Sequence, residues 1–570
     1  MIRTFSTHKI RPQIDLNHLW QFTAGDAEPF QVSVPSCWET YPGFGSYRGT
    51  AVYSHELQAG GNLRLVFEGV SHTADVFIDG QKIAHHYNAF TSFDAVYPAA
   101  EEKTHLVEVR VSNAFSEQSA LHIPNDYYSY GGISRPVSLE IVPDVFIEWI
   151  HMTPIFKEVH WDLAVEVSLR NISKTNHIAN TEVTLEVGSY SFGSVEVPAE
   201  SRKTLSAVIH CDNAVPYFPE NPTLYYATVT LALDDGPICD DLIDRVGFRE
   251  IKIAGKEILF NGQPIQIRGF CRHEDHPLFG CALPMSAMDQ DLNLFRDLNA
   301  NAVRTSHYPN DSLFLDLCDE KGFMVWEENH ARGLSEEKMR NPNFEQQCED
   351  CIAEMIRDHF NHPSIIIWGI LNECASETEY GRSCYERQFA QIKSLDPSRP
   401  TSFASCKHFK DICLDLPDIV SFNIYPLWYH DRPVKEYLDE LYSWIQETAG
   451  KGKPFLITEI GAGGIYGYRD ANLDKWTEDY QAYALSQQIE GVLSKEGCSG
   501  IFIWQFCDVR VSREWFSTRP RSKNNKGVVD EYRRPKLAYQ TVKEQYSKFK
   551  KTNIKGLLQN TYAGLTIDTE

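Results

Sequence analysis

No run in the 570 residues is long and apolar enough to cross a bilayer, and the opening MIRTFSTHKIRPQIDL carries no apolar segment of the signal-peptide kind. Positive charge is in short supply: 54 Lys and Arg face 78 Asp and Glu, a net charge of −24. Nucleic-acid binding, which rests on neutralising phosphates, is thereby argued against. Cys348 and Cys351 form a lone CxxC with no second pair at zinc spacing, so the 14 cysteines read as reduced core residues of a cytoplasmic protein. No complete metal-ligand set and no organic cofactor motif stands out. Residues 1–246 also lack any helix-period segment of length, any internal repeat and any low-complexity tract.

What the chain does have is the makeup of a large globular protein, 42% hydrophobic and 23% charged. Its 11 Trp, 27 Tyr and 31 Phe mostly suit β-sandwich cores, although flat aromatic faces also stack on sugar rings. Residues 1–142 alternate apolar and polar, as in NLRLVFEGV and THLVEVRVSN, and read as an antiparallel sandwich. Residues 143–246 repeat this with shorter strands such as LAVEVSLRN, over a length that suits an immunoglobulin-like sandwich. From 247 to 570 short apolar strands alternate with amphipathic helices. The strands expected are Pro264–Gly269, Asn301–Thr305, Phe323–Glu327, Ile365–Leu371, Thr401–Ala404, Ile419–Asn423, Phe455–Thr458 and Ile501–Trp504. Eight such strands in about 300 residues predict a (β/α)8 barrel. An open doubly wound sheet is the rival, but no glycine-rich loop follows the first strand.

Nearly every one of these strands runs into polar or aromatic residues: Arg272-His273-Glu274-Asp275, Arg304-Thr305-Ser306-His307-Tyr308, Glu327-Glu328-Asn329-His330, Asn372-Glu373, Asn423-Ile424-Tyr425, Thr458-Glu459 and Trp504-Gln505. Since barrel chemistry sits at strand C-termini, their coincidence predicts a polar cleft rather than a solvated rim. Glu373 and Glu459 each follow a buried apolar run. Desolvation there raises a carboxyl's pKa and can make it a proton donor, while a carboxylate with cationic neighbours stays ionised and attacks carbon. Cleaving a glycosidic bond requires that split pair.

The segments GFCRHEDHPLFG, NAVRTSHYPN, HPSIIIWGILNE, PFLITEIG and FIWQF closely resemble β-glucuronidases and β-galactosidases of glycoside hydrolase family two. The resemblance covers nearly the whole chain. It implies a jelly-roll, sugar-binding-like sandwich, an immunoglobulin-like sandwich and a catalytic TIM barrel. It also implies a retaining mechanism with Glu373, in the Asn372-Glu373 motif, as acid/base and Glu459 as nucleophile. By the same resemblance Asp126, His273, His307, Tyr425 and Trp504 are expected to bind substrate. Sandwich domains commonly mediate assembly in this family, so a homo-oligomer is an expectation too.

Two motifs bear on the sugar. Lys523-Asn524-Asn525-Lys526-Gly527 resembles the Asn-x-Lys motif with which β-glucuronidases hold the C6 carboxylate, here Asn524 and Lys526. An ammonium and an amide suit a carboxylate and would be left uncompensated by a neutral C6 hydroxyl; the plainer account is a basic solvated loop. Glu328-Asn329-His330-Ala331-Arg332-Gly333 departs from the glucuronidase pattern by Arg332, which is placed to read either a C4 hydroxyl or the carboxylate. Galacturonides thus stand beside glucuronides, and pairing of Arg332 with an acid on the rim stands beside both. The short stretch from Gly333 to Phe344 implies an open cleft. The expectation is therefore an exo-β-hexuronidase acting on a carbohydrate with a terminal acidic sugar. The in-class rival is a β-galactosidase, and the rival from another class is a carbohydrate-binding protein without catalysis.

Overall fold

The computed structural model describes residues 2–550, and no helix among them is long and apolar enough to cross a membrane. Alternating apolar residues build the first sandwich, in which Thr50–Phe67 and Phe93–Ser112 pair along most of their length. Trp20, Phe22, Trp38, Tyr53 and Leu65 fill its core. In the second sandwich a three-stranded sheet (Val145–Phe156, Trp161–Asn171, Arg202–Cys211) faces a four-stranded one (Gly188–Val197, His177–Leu185, Tyr225–Leu233, Ile238–Val246). Three and four strands are the immunoglobulin-like arrangement.

The third region is a closed parallel barrel. Its strands are β1 (Ile267–Cys271), β2 (Ala302–Thr305), β3 (Met324–Glu328), β4 (Ile365–Ile370), β5 (Thr401–Ser405), β6 (Ile419–Asn423), β7 (Phe455–Ile460) and β8 (Cys498–Ile503). All but the first residue of β8 are buried, which is why they read as continuous apolar runs rather than alternating ones. Helices follow the strands: α1 (Met285–Asp297), α2 (Ser312–Lys321), α3 (Phe344–His359), α4 (Glu379–Leu395), α5 (Val434–Ile445), α6 (Glu478–Leu493) and α7 (Leu537–Lys548). The Asp311 side chain caps α2 by accepting from Leu313 N–H at 2.9 Å, and Gly322, at φ 70°, ends it against Pro219 of the second sandwich.

Two features depart from the idealised barrel of the sequence reading. Residues 406–418, after β5, form no α-helix. A small sheet (Ile251–Ala254, Glu257–Phe260, Gln263–Pro264) precedes β1. Its Ile258 and Phe260 pack with Ile267, Met324 and Ile419 near the strand starts, sealing the end opposite the polar strand termini.

Buried ion pairs join the three regions. Arg135 of the first sandwich donates to Glu274 (2.8 Å) and to the Pro309 carbonyl (2.7 Å), both above the barrel. Arg245 of the second sandwich and Arg3 both reach Asp316 on α2, at 2.9 and 2.8 Å. Asp316 is fully buried between them, so removing it takes from Arg3 its two-pronged partner and leaves Arg245 to Glu320 and Asp319. Asp316→Ala is expected to cost about 3–5 kcal/mol, the usual penalty for breaking a buried pair, and to lower the first thermal transition. The more exposed partner Asp244, 3.4 Å from Arg3, should cost under about 1 kcal/mol. Equal, small shifts for both variants would mean the clasp does not hold the regions together.

Candidate active site

Arg304, at the end of β2, is fully buried beneath the cleft. Its fork grips Glu328 at the end of β3 through Nε (2.8 Å) and Nη2 (3.0 Å). Nη1 donates to Glu459 Oε1 at 3.0 Å, and Nη2 to Asn372 Oδ1 at 2.7 Å. One side chain thus ties the ends of β2, β3, β4 and β7.

Glu459 lies within β7 and is 2% exposed. Its Oε2 accepts from the Tyr425 hydroxyl at 2.7 Å, and His307 Nε2 stands 3.8 Å from Oε1. Glu373 is more accessible, its side chain 20% exposed. It follows β4 in a left-handed turn in which Leu371 and Glu373 have φ of 47° and 54°. Such backbone costs of order 1–3 kcal/mol per residue and needs outside support. Support comes from Asn329 Oδ1 on Leu371 N–H (3.0 Å), Tyr385 OH on the Leu371 carbonyl (2.9 Å), and the Ala404 carbonyl on Glu373 N–H (2.8 Å). The turn aims Glu373 at Asn423, whose amide donates to Oε1 at 3.1 Å, and brings Oε2 to 3.7 Å from Arg332. Thr458 Oγ1 fixes that orientation by donating to Asn423 Oδ1 at 2.8 Å.

The sequence reading linked desolvation to the proton donor. Here the deeper burial falls on Glu459, because it sits in the strand while Glu373 sits beyond one. Burial and the charge of Glu373 push the Glu459 carboxyl up to about 7, against the pull of Arg304 and Tyr425.

Around this pair, buried polar atoms lack a protein partner. Asn372 Oδ1 takes hydrogen bonds from both Arg304 and Asn423 (3.1 Å), so its Nδ2 is left over. Burial, then Arg304 and Arg332, keep His307 well below its usual pKa and hence neutral. Its Nδ1, 2.7 Å from the Glu328 carboxylate, must carry the proton, which leaves Nε2 as a free acceptor. His273 is neutral by burial as well, but in the other tautomer. Tyr308 OH accepts from Glu274 N–H (3.0 Å) and donates to His273 Nδ1 (3.2 Å), so Nε2–H is the free donor. Trp504 stacks on His307 at 5.0 Å. Unsatisfied buried donors and acceptors beside an aromatic plane complement a polyhydroxylated ring.

The first sandwich supplies Asp126, only 4% exposed. Its Oδ1 is 3.2 Å from Arg332, and its Oδ2 accepts from Arg519 (3.1 Å) and Asn524 (3.2 Å). Burial opposes ionisation, but Arg332, Arg519 and Lys526 hold this carboxyl well below its usual range. Arg332 is therefore paired with an acid, yet inside the cleft, between Asp126 and Glu373, and not on its rim. Lys526 is 2% exposed, with Nζ 5.9, 5.8 and 5.2 Å from the ring centres of Tyr425, Trp428 and Tyr429. Among the described residues no carboxylate lies within ion-pairing distance of it. The plainer reading of this segment as a solvated loop does not fit that burial.

The structure thus gathers every candidate of the sequence reading at one end of the barrel. It adds Arg304, Glu328, Asn423, Arg519 and Trp428. Arg304 and Glu328 were visible as polar strand ends but not as a bonded pair, and Arg519 lies in a long excursion after β8 with no pattern of its own.

Comparison with known proteins follows the same three regions. Sequence models of glycosyl hydrolases family 2 match residues 251–551 (its TIM barrel domain), 46–137 (a galactose-binding domain-like region) and 145–249. This chain belongs to glycosyl hydrolases family 2. A family 2 β-galacturonidase from Eisenbergiella tayi, solved bound to galacturonate, is 58% identical with a TM-score of 0.94, covering 96% of this chain and 99% of that one. A β-D-glucuronidase structure from Dictyoglomus thermophilum is 25% identical with a TM-score of 0.84, over 96% and 98% of the two chains. The β-glucuronidase of Sus scrofa is 28% identical over 440 residues, 74% of this chain but only 65% of that protein's length.

Raising the Glu459 carboxyl in the folded state has a thermodynamic signature. Its pKa rises from 4.5 to about 7 on folding, so between those values the folded state binds more protons than the unfolded one. Stability therefore falls as pH rises through this window, and the burden is complete above pH 7. Glu459→Gln should melt higher than wild type at pH 8, by up to about 3 kcal/mol, with the gain vanishing toward pH 4.5. Parallel melting curves across that range would show that the carboxylate carries no such cost.

Proposed function

We propose that the protein is a retaining exo-β-hexuronidase, with β-galacturonides ahead of β-glucuronides. The observation that carries the acidic sugar is Lys526: a buried ammonium, caged by three aromatic rings beside the catalytic acids, without a carboxylate of its own. A substrate C6 carboxylate supplies the missing charge, and Asn524, two residues before Lys526, has a second N–H to offer besides the one it gives Asp126. A neutral galactoside supplies nothing, which sets the β-galactosidase reading below this one. The ordered acid pair argues against a binding protein without catalysis.

In the first step Glu459 attacks the anomeric carbon while Glu373 protonates the departing oxygen; in the second, Glu373 takes a proton from water, which displaces the enzyme's carboxylate. Arg304 and Tyr425 donate to Glu459 and not to Glu373, so the shared proton is directed to Glu373 when the sugar lies between them. Asn372 Nδ2, His273 Nε2–H and the His307 Nε2 lone pair take ring hydroxyls, Asp126 accepts another, and Trp504 forms the floor. Arg332, between Asp126 and Glu373, is placed for a hydroxyl such as that at C4, where galacturonide and glucuronide differ. The likeness to a β-galacturonidase supports the same choice. Fourteen free thiols agree with a reducing cytoplasm, and assembly into a homo-oligomer remains part of the proposal without a surface assigned to it.

The decisive experiment is kcat/KM on chromogenic galacturonide, glucuronide and galactoside. Losing one partner of a desolvated charge pair costs about 2–5 kcal/mol, so Lys526→Ala should lower uronide kcat/KM by roughly one and a half to three and a half decades and leave the poor galactoside rate unchanged. If the uronide preference survives, the acidic-sugar assignment falls. Arg332→Ala should shift the galacturonide-to-glucuronide ratio by about tenfold, one charge-assisted hydrogen bond. A constant ratio would leave Arg332 only a role in holding Asp126.

A further inference from the structure

The second sandwich carries the tripeptide pattern His-x-Asp twice, as His160-Trp161-Asp162 and His210-Cys211-Asp212. The copies lie on neighbouring antiparallel strands, Trp161–Asn171 and Arg202–Cys211, in a register that sets Asp162 directly opposite His210. His160 ends the turn that leads into the first of these strands, closed by Lys157 N–H on the His160 carbonyl at 2.9 Å. Residues i and i+2 share a face of a strand, so both patterns present their polar groups on the solvent side.

Two imidazole nitrogens converge on one carboxylate oxygen. His160 Nε2 is 3.4 Å and His210 Nδ1 3.1 Å from Asp162 Oδ1, with the rings 4.3 Å apart at 64°. Ligands about 2.0–2.2 Å from a tetrahedral zinc ion stand about 3.3–3.5 Å from one another; the two measured separations come close to that spacing, and all three ligand atoms lie within 4.8 Å of one another. The far nitrogen of His210, Nε2, meets Asp212 Oδ1 at 3.0 Å. A carboxylate on the outer nitrogen of a histidine fixes the tautomer that offers its inner lone pair to a metal and raises its basicity. Asp212 occupies that position.

We propose that His160, Asp162 and His210 form a divalent metal site of the zinc class, with Asp212 as the outer support of His210 and water in the open position. Two imidazoles and one carboxylate select zinc, cobalt, nickel or copper over magnesium and calcium. The bound ion ties the turn at 157–160 to the strand Arg202–Cys211 and acts on the sandwich alone. Without metal the same atoms form a histidine–carboxylate cluster held by the hydrogen bond between His210 and Asp162. The other histidine–acid cluster, Asp316, Asp319 and His362, is filled by Arg3 and Arg245 and offers no such room.

The test uses the full chain stripped with EDTA and titrated with Zn2+ by calorimetry, and with Co2+ to read the visible band of tetrahedral cobalt. Wild type should bind one equivalent that disappears when His160→Ala and His210→Ala are combined. Asp212→Asn should keep the stoichiometry and weaken affinity roughly 10–100-fold. These side chains are solvent-facing, so the variants should keep their circular dichroism and their metal-free kcat/KM. Zinc lodging among the catalytic acids instead would inhibit turnover and persist in the double variant. Wild-type stoichiometry and affinity in that variant, or no binding by wild type below millimolar zinc, would overturn the site.

Discussion

The fully buried guanidinium of Arg304 is the constraint from which the catalytic end of the barrel is built. A charge in that position is tolerable only if its donors are all matched, and they are met by Glu328, Glu459, Asn372 and the Thr458 carbonyl (3.1 Å). Each match also sets a neighbour. Glu328, held in two places, fixes the His307 tautomer; Asn372, its oxygen filled, must turn its amide nitrogen to the ligand; Glu459 receives the hydrogen bond that favours its anion. Orientation of the site follows from satisfying one cation, which is the sense in which a polar network rigidifies.

That network remains incomplete without the first sandwich. Asp126 comes from a loop that the barrel does not contain, yet it neutralises Arg332 and Arg519, both barrel residues. Arg135–Glu274 and Tyr130–Asp275 (2.8 Å) hold the sandwich where this can happen. Of the four residues Arg272 to Asp275, His273 is the one that packs against Trp504 beside the acid pair. Arg272 pairs with Asp291 (3.0 Å), and Glu274 and Asp275 serve the junction. A run of charged residues at a strand end is thus divided between chemistry and docking, and adjacency in sequence does not reveal which residue does which.

The barrel and the two candidate acids were legible in the sequence because the strands are short, buried apolar runs and each acid closes one, a pattern that chain order alone displays; Asp126, Asn524 and Lys526 follow no such run and were named by resemblance. What was hidden depends on distance along the chain. Arg519 reaches Asp126 across 393 positions. Lys526 was named by its Asn-x-Lys resemblance, but the rival reading of a solvated basic loop fell only when burial separated it from Lys523 and Arg521. The absent helix after β5 was masked by regular strand spacing on either side. His160 and His210 are ordinary surface residues until strand register places them side by side. In each case the missing information was a pairing, not a residue type.

The charges near the cleft are what link the proposed acidic sugar to the proposed acid catalysis. Arg304, Arg332, Arg519 and Lys526 face Glu328, Glu373, Glu459 and Asp126, four cations against four carboxyl groups. In the proposed reaction one proton sits on the pair, on Glu373, and this leaves one positive charge in excess within the cleft. A uronate neutralises that excess; a neutral hexose leaves it buried. Lys526 would then serve twice: it selects the proposed acidic substrate, and its pairing with that substrate's carboxylate balances the charge that the protein's own acids leave open.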